Sequence, residues 1–421
     1  MLIMTSKINL KQNLYIEMRK SSVTSVFLWT RLLTSPLDAV FTLLIFIIGM
    51  ELQATVLQLT VLAAIKPAVS LLAFHIHGKY FDKCQNSRNY LILLNLAGCL
   101  PVLLFPYVLD TWFYIICYAL FQTAQRAAFP AWGEILKSHA GTESLGKIFS
   151  KSTSINYVII IFIPLLFSYQ MDTTPWIWKY IFPVLAVIQV ANTFLLLLLP
   201  KNKNFNAHSN KHTMSNAYFP CLEDFKLLKE EPEFKNYLLL FFLGGIGLVA
   251  IQPIIPVFFH ETLRLSYLEL TAAFSLCKGV AFIFSSPLWS HFINKVSLFR
   301  LNGYINLLSA LFIVFLLCSG IYTGLLFPAF LIYGIMQAGC DLSWNISGPL
   351  FSKKKNSAGH SRLNLAFVGL RGCICPFIGK FIFLTSNATG VFLFAGILCL
   401  FSSFYAYALD RKYCINKEIA L

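Results

Sequence analysis

Five ionisable side chains stand in stretches that are otherwise apolar: Lys66, Arg126, Lys278, Asp341 and Arg371. Asp38 and Lys380 lie nearer the ends of such stretches. A charge held at bilayer depth costs roughly 2.5–3.5 kcal/mol, so each of these groups has to face a partner, water or a ligand. Counting about 1.5 Å per helical residue puts Lys66, Lys278 and Arg371 near mid-depth, with Arg126 and Asp341 closer to one face. Three cations at one level, with Asp341 the nearby carboxylate, form an anion-attracting set. Carboxylate and phosphate are the groups that Lys and Arg recognise by charge-assisted hydrogen bonds. Lys66, Lys278 and Arg371 are therefore the candidate binding residues. The competing reading is structural: the same charges pair with one another, with helix carbonyls or with water, and hold helices together.

Other chemistries find little footing. The run Gly141-Thr-Glu-Ser-Leu-Gly146-Lys147 has the outline of a phosphate-binding loop. Ile148 occupies the place of the Mg²⁺-binding hydroxyl, and no buried strand precedes it, so the segment reads as a turn leading into a helix. His260-Glu261 has Arg264 where a zinc protease needs its second His, and His75 and His77 read as interfacial loop residues. Cys373 and Cys375 form a CxC pair inside an expected helix, where packing outweighs metal or redox chemistry. The eleven cysteines imply no disulfide framework. No catalytic residue, metal site or cofactor is expected.

The elements that must position these charges follow from composition. With 57% hydrophobic residues, 12% charged residues and a mean hydropathy of +0.69, the chain belongs to the membrane class. A hydrocarbon core of about 30 Å needs about 20 apolar helical residues. On that template twelve spans emerge, at 36–54, 56–76, 90–108, 111–132, 153–170, 177–199, 236–258, 267–289, 301–319, 322–347, 363–384 and 388–408. The basic residues crowd alternate connections, among them Lys79 and Lys83, Lys147 and Lys151, Lys353 to Lys355, and the tail residues Arg411 and Lys412. The opposite connections carry Lys179 and Arg264 against Asp110, Asp172, Glu261 and Glu269. By the positive-inside rule both termini face the cytoplasm, and the net charge of +15 is a topology signal rather than a nucleic-acid footprint. The opening residues, with Lys7, Lys11, Arg19 and Lys20, show no small-residue cleavage site, so no removed signal peptide is expected.

The polar segment from Pro200 to Lys235 divides the spans six and six, giving halves 1–199 and 236–421 joined by a linker, 200–235. The halves resemble each other. At an offset of 212 residues Lys66 corresponds to Lys278 and Arg88 to Arg300; at 215, Tyr118 corresponds to Tyr333, Gln122 to Gln337 and Arg126 to Asp341. Arg126 and Asp341, equivalent in position and opposite in charge, could pair across a gate. Gly78, Asp82 and Lys83 match the loop motif Gly-x-x-x-Asp-Arg/Lys-x-Gly-Arg-Arg/Lys, with Gln85, Asn86 and Ser87 replacing its later residues and Arg88 one step beyond.

On these residues the chain resembles the major facilitator superfamily over nearly its whole length. The resemblance implies an all-α membrane fold of two pseudo-symmetric six-helix bundles, in which helices 3, 6, 9 and 12 face mainly lipid and the others line a central cavity. Every intramembrane charge named above falls on a cavity helix. It also implies that Asp82, with Lys83 beside it, braces a gate, a carboxylate there facing the positive end of the helix that begins near Arg362. Arg126 resembles the Arg of the family's fourth-helix motif, although Phe129 and Pro130 stand where its Gly is expected. The function so implied is secondary active or facilitative transport of a small solute, an organic anion on the evidence of the cations. Efflux of hydrophobic compounds and an intramembrane lipid-modifying enzyme are the rivals. A monomer in the inner membrane is expected, with lipid and a small-molecule substrate as partners and no nucleic acid. Asn387-Ala-Thr389 fits a glycosylation sequon on the outer side, without meaning in a bacterium.

Overall fold

Apolar segments crossing lipid must satisfy every backbone N–H and C=O internally, and helices do so within one segment. The computed structural model describes residues 23–81, 87–140, 142–199, 224–293, 295–352 and 358–418, and among these residues there is no strand. The long helices are α1 (Val23–Glu51), α2 (Val56–Phe81), α3 (Ser87–Cys99, running into a tighter turn Leu100–Leu104), α4 (Thr111–Ala140), α5 (Thr142–Thr173) and α6 (Trp178–Leu197). A short helix, Asp224–Glu230, precedes α7 (Pro232–Leu263), α8 (Tyr267–Phe292), α9 (Leu298–Cys318) and α10 (Leu326–Ser352). The last helical segment, Ala358–Glu418, turns a corner at Asn387 (φ 57°), which divides it into α11 (358–386) and α12 (388–418). All twelve expected spans fall on these helices.

Two expectations shift. The first helix is already formed at Val23, well before residue 36, because Thr30, Arg31, Thr34 and Ser35 dilute the apolar signal of a stretch that is nevertheless helical. Ser35 meets its own hydroxyl requirement by donating to the Arg31 carbonyl (2.7 Å). The segment after residue 141, expected as a turn, is instead the start of α5.

By packing, the chain forms two compact units. The first contains residues 1–42, 73–163 and 177–208. Its core gathers Phe27, Tyr90, Trp132 and Leu136, and Phe41 sits within 4.7–6.4 Å of the Phe105, Phe121 and Phe182 rings. The second contains residues 43–72, 164–176 and 209–421, so the end of α1, most of α2 and the end of α5 pack with the C-terminal helices. There Phe46 of α1 stacks on Phe259 of α7 at 5.8 Å, and Gly372 and Gly369 of α11 lie against Pro67 and Leu71 of α2. The Asp172 carboxylate at the end of α5 accepts the first two backbone N–H groups of α8, from Tyr267 (2.7 Å) and Leu268 (2.9 Å). Ser266 and Glu269 complete that helix start with a capping box.

The internal repeat is also written in the polar ties between helices. In the first unit Arg88 of α3 donates to the Leu197 carbonyl of α6 (3.2 Å), and Asn95 of α3 to the Gln189 carbonyl of α6 (2.9 Å). In the second unit Arg300 of α9, the counterpart of Arg88, pairs with Asp410 of α12 (2.8 Å), and Asn306, one position off the counterpart of Asn95, donates to Ser402 of α12 (3.0 Å). Polar side chains in an apolar setting have to find partners, and both halves meet this by tying α3 to α6 and α9 to α12.

Candidate functional site

Lys278 stands where α8 changes its winding. From Ala272 to Cys277 the helix is π-wound, and α-helical geometry resumes at Lys278. Such a turn adds a residue, rotates the face that follows and leaves a backbone group outside the regular ladder. The Lys278 ammonium lies 3.9 Å above the Phe274 ring and 5.9 Å from the Tyr333 ring of α10, so aromatic faces offset part of its dehydration. On α10, Gly334 touches the Lys278 carbonyl, where any Cβ would collide with the oxygen.

Lys66 of α2 is exposed, directly before Pro67, a residue that cannot donate back along the helix. It is within electrostatic range of Lys278, as is Asp341 of α10. The two lysines that the repeat pairs thus share one electrostatic neighbourhood, with the Asp341 carboxylate also in range of Lys278.

Arg371 of α11 occupies a different setting. It is 8% exposed, one N–H donates to the Phe241 carbonyl of α7, and its guanidinium lies 5.3 Å from the Phe241 ring. Its Nε is buried without an acceptor. A buried donor left unmet costs about 1–3 kcal/mol, more when charged. Gly245 of α7 makes room for this guanidinium, since a Cβ there would overlap it. Arg371 lines a cavity of about 170 Å³ within the second unit, together with Asp341, Gln252, Gln337, Asn306 and Tyr333. Neither lysine lines that cavity.

In the first unit Gln122 of α4 donates to the Asp38 carboxylate of α1 (3.1 Å). Arg126 of α4 is exposed and within electrostatic range of Arg31 and of Tyr118. Arg31 itself lies 5.5 Å and 6.0 Å from the Phe27 and Phe129 rings. Arg126 and Asp341 thus belong to different units, each with its own neighbours. Asp82 and Lys83 lie outside the described residues.

Of the expected site residues, then, the structure brings Lys66, Lys278 and Asp341 into one electrostatic neighbourhood and Arg371 and Asp341 into one cavity. Arg31 was missed because its helix starts earlier than the apolar count allowed. Gln252, Gln337 and Asn306 were missed because uncharged amides weigh little in a count of buried charges. Amides recurring in apolar runs, with Gln337 the counterpart of Gln122, were the signal available.

Among the described residues no group of three His, Cys, Asp or Glu side chains could hold a metal ion. The residues present offer cations, amides, one carboxylate and aromatic faces, which can bind and orient a polar solute.

The sequence profile of the Major Facilitator Superfamily matches residues 27–360. No curated protein matches the chain. Among solved structures, the nucleoside transporter NupG aligns with a TM-score of 0.73 at 14% identity, covering 93% of this chain and 98% of that one. A bacterial homologue of the human lysosomal transporter Spinster, in an inward-facing and unoccupied conformation, gives a TM-score of 0.67 at 11% identity over 93% and 97%. A POT family transporter in complex with a thioalcohol-conjugated peptide gives 0.68 at 12% over 93% and 96%. At such identities the likeness is one of fold. The repeated helices, the ties that recur in both halves and the match to residues 27–360 lead to one conclusion: the chain belongs to the Major Facilitator Superfamily and is a membrane transporter of a small solute.

Proposed function

We propose that the protein carries a small organic anion by alternating access, with Lys66 and Lys278 holding the ionised group and Arg371 as the third cation of the route. The observation that supports this most is the proximity of Lys66 to Lys278 on helices of one unit. Like charges held close together in an apolar assembly repel, and an anion between them relieves the repulsion and completes their hydrogen bonding. Asp341 near Lys278 provides a countercharge when the anion is absent. The halves 1–199 and 236–421, tied by the linker 200–235, are the moving bodies, and Asp82, Lys83, Arg126 and Asp341 are gate residues. The crowding of Lys and Arg at alternate connections sets both termini in the cytoplasm of a cell whose inner membrane holds the protein. Nothing favours hydrophobic efflux in particular, since the Phe41, Phe105, Phe121 and Phe182 rings pack on one another as core.

The test is flux through proteoliposomes loaded with radiolabelled carboxylates and phosphates. The expected result is uptake of at least one organic anion by the wild type, reduced at least about tenfold in Lys66→Ala and in Lys278→Ala, the loss of one charge-assisted contact in each. Equal uptake by wild type and both variants would end the proposal.

A further inference from the structure

The cavity around Arg371 differs in character from the two lysines. Its ionised lining residues are one cation, Arg371, and one anion, Asp341, so their formal charges cancel. The remaining polar contribution is largely amide: Gln252 of α7 and Gln337 of α10, with Asn302 and Asn306 of α9, whose N–H groups are given to helix partners, and the Ser309 hydroxyl. An amide offers a donor and an acceptor side by side, a carboxylate accepts, and the guanidinium donates in a fixed fork. A hydroxyl meets all of these in turn, because a single atom both donates and accepts. The Tyr333 ring supplies an apolar face for the carbon chain that carries such hydroxyls.

A second observation points the same way. Arg371 is more than nine-tenths buried and its Nε–H has no acceptor, while the backbone of α7 has been kept bare at Gly245 to admit the guanidinium. A helix bundle that wanted only a packed interior would place an apolar side chain here. The arrangement instead places a guanidinium in the lining of a space large enough for several heavy atoms.

We propose that this cavity is the subsite for a hydroxylated, uncharged segment of the cargo, so that the transported solute is a polyhydroxylated organic anion: its ionised end at Lys66 and Lys278, its hydroxyls between Arg371, Asp341 and the amides. This rests on the anion reading above. Asp341 serves both parts, lying within range of Lys278 and lining the cavity.

The experiment is calorimetric binding to the full-length protein in nanodiscs. The probes are gluconate and glucose 6-phosphate as hydroxylated anions, hexanoate and hexyl phosphate as their hydroxyl-free counterparts, and sorbitol as a neutral polyol; the two anion pairs separate carboxylate from phosphate cargo. The expected result is that at least one hydroxylated anion binds tenfold or more tightly than its hydroxyl-free counterpart. Gln337→Leu, at a half-buried position, should erase that ratio while leaving the affinity for the hydroxyl-free probe in place, and Gln252→Leu, at an exposed position, should reduce it. Lys278→Ala should weaken both members of the pair equally. Equal binding of the two members, no binding of either hydroxylated anion, or a preference that survives both Gln variants would overturn the subsite. Should sorbitol bind as tightly as the hydroxylated anions, with Lys278→Ala neutral and Gln337→Leu still damaging, the subsite stands and the anion reading falls.

Discussion

Gly245 and Arg371 form one piece of structure, since the guanidinium occupies the volume that any side chain at 245 would claim. Gly245→Ala therefore has to displace a buried cation or bend α7. Overpacking of this kind costs about 1–3 kcal/mol, so the apparent Tm of the purified protein should fall clearly below wild type. The same substitution made in an Arg371→Ala background should cost much less, because the group it collides with is gone, and that non-additivity is read from a double-mutant cycle. Full additivity would mean that Gly245 serves another purpose. The charged members of this site were legible in the sequence because an ionised side chain in an apolar run is rare and costly. Gln252, Gln337 and Asn306 were not, because an amide in such a run is cheap enough to be ordinary. Their convergence depends on three helices packing together, and no local pattern records that packing.

The helices themselves were legible for the opposite reason: hydropathy, basic loops and the 212-residue offset are properties of long stretches and survive local noise. The winding inside a helix is not. Ala-Ala-Phe-Ser-Leu-Cys would suit an α-helix equally well, yet residues 272–277 are π-wound, and this sets where Lys278 faces. Gly334, which lies against the Lys278 carbonyl, shows how closely α10 has to approach that turn. The ends of helices carry their own test. Asp172 caps α8 from the end of α5, reaching across more than ninety residues of sequence to the N–H groups of Tyr267 and Leu268. Tyr267 in turn donates its hydroxyl to Glu51 at the end of α1 (3.2 Å). A lost cap costs about 1 kcal/mol, so Asp172→Ala should lower the apparent Tm measurably, whereas Asp172→Asn, which keeps an acceptor, should lose only part of that. Identical Tm values for Asp172→Ala and wild type would show that the helix start is held by Ser266 and Glu269 alone.

For the whole molecule, the repeat is the organising fact. Arg88 and Arg300 anchor α3 and α9 to the last helix of their halves, Asn95 and Asn306 do the same about two turns on, and Lys66 and Lys278 are the matching charges to which the proposal assigns the cargo. Two copies of one helical plan place two equivalent lysines within electrostatic range of each other, and on the proposed reading they mark the route. The claim that most needs testing is that this route opens to water from each side in turn. Lys66→Cys and Lys278→Cys, each in a background with the native cysteines replaced, can be challenged with a membrane-impermeant thiol reagent added to right-side-out and inside-out vesicles. Modification of both positions from both sides, with cargo changing the balance between them, is the expected result. Cysteines at 66 and 278 that stay unmodified from either side, with or without cargo, would contradict the account.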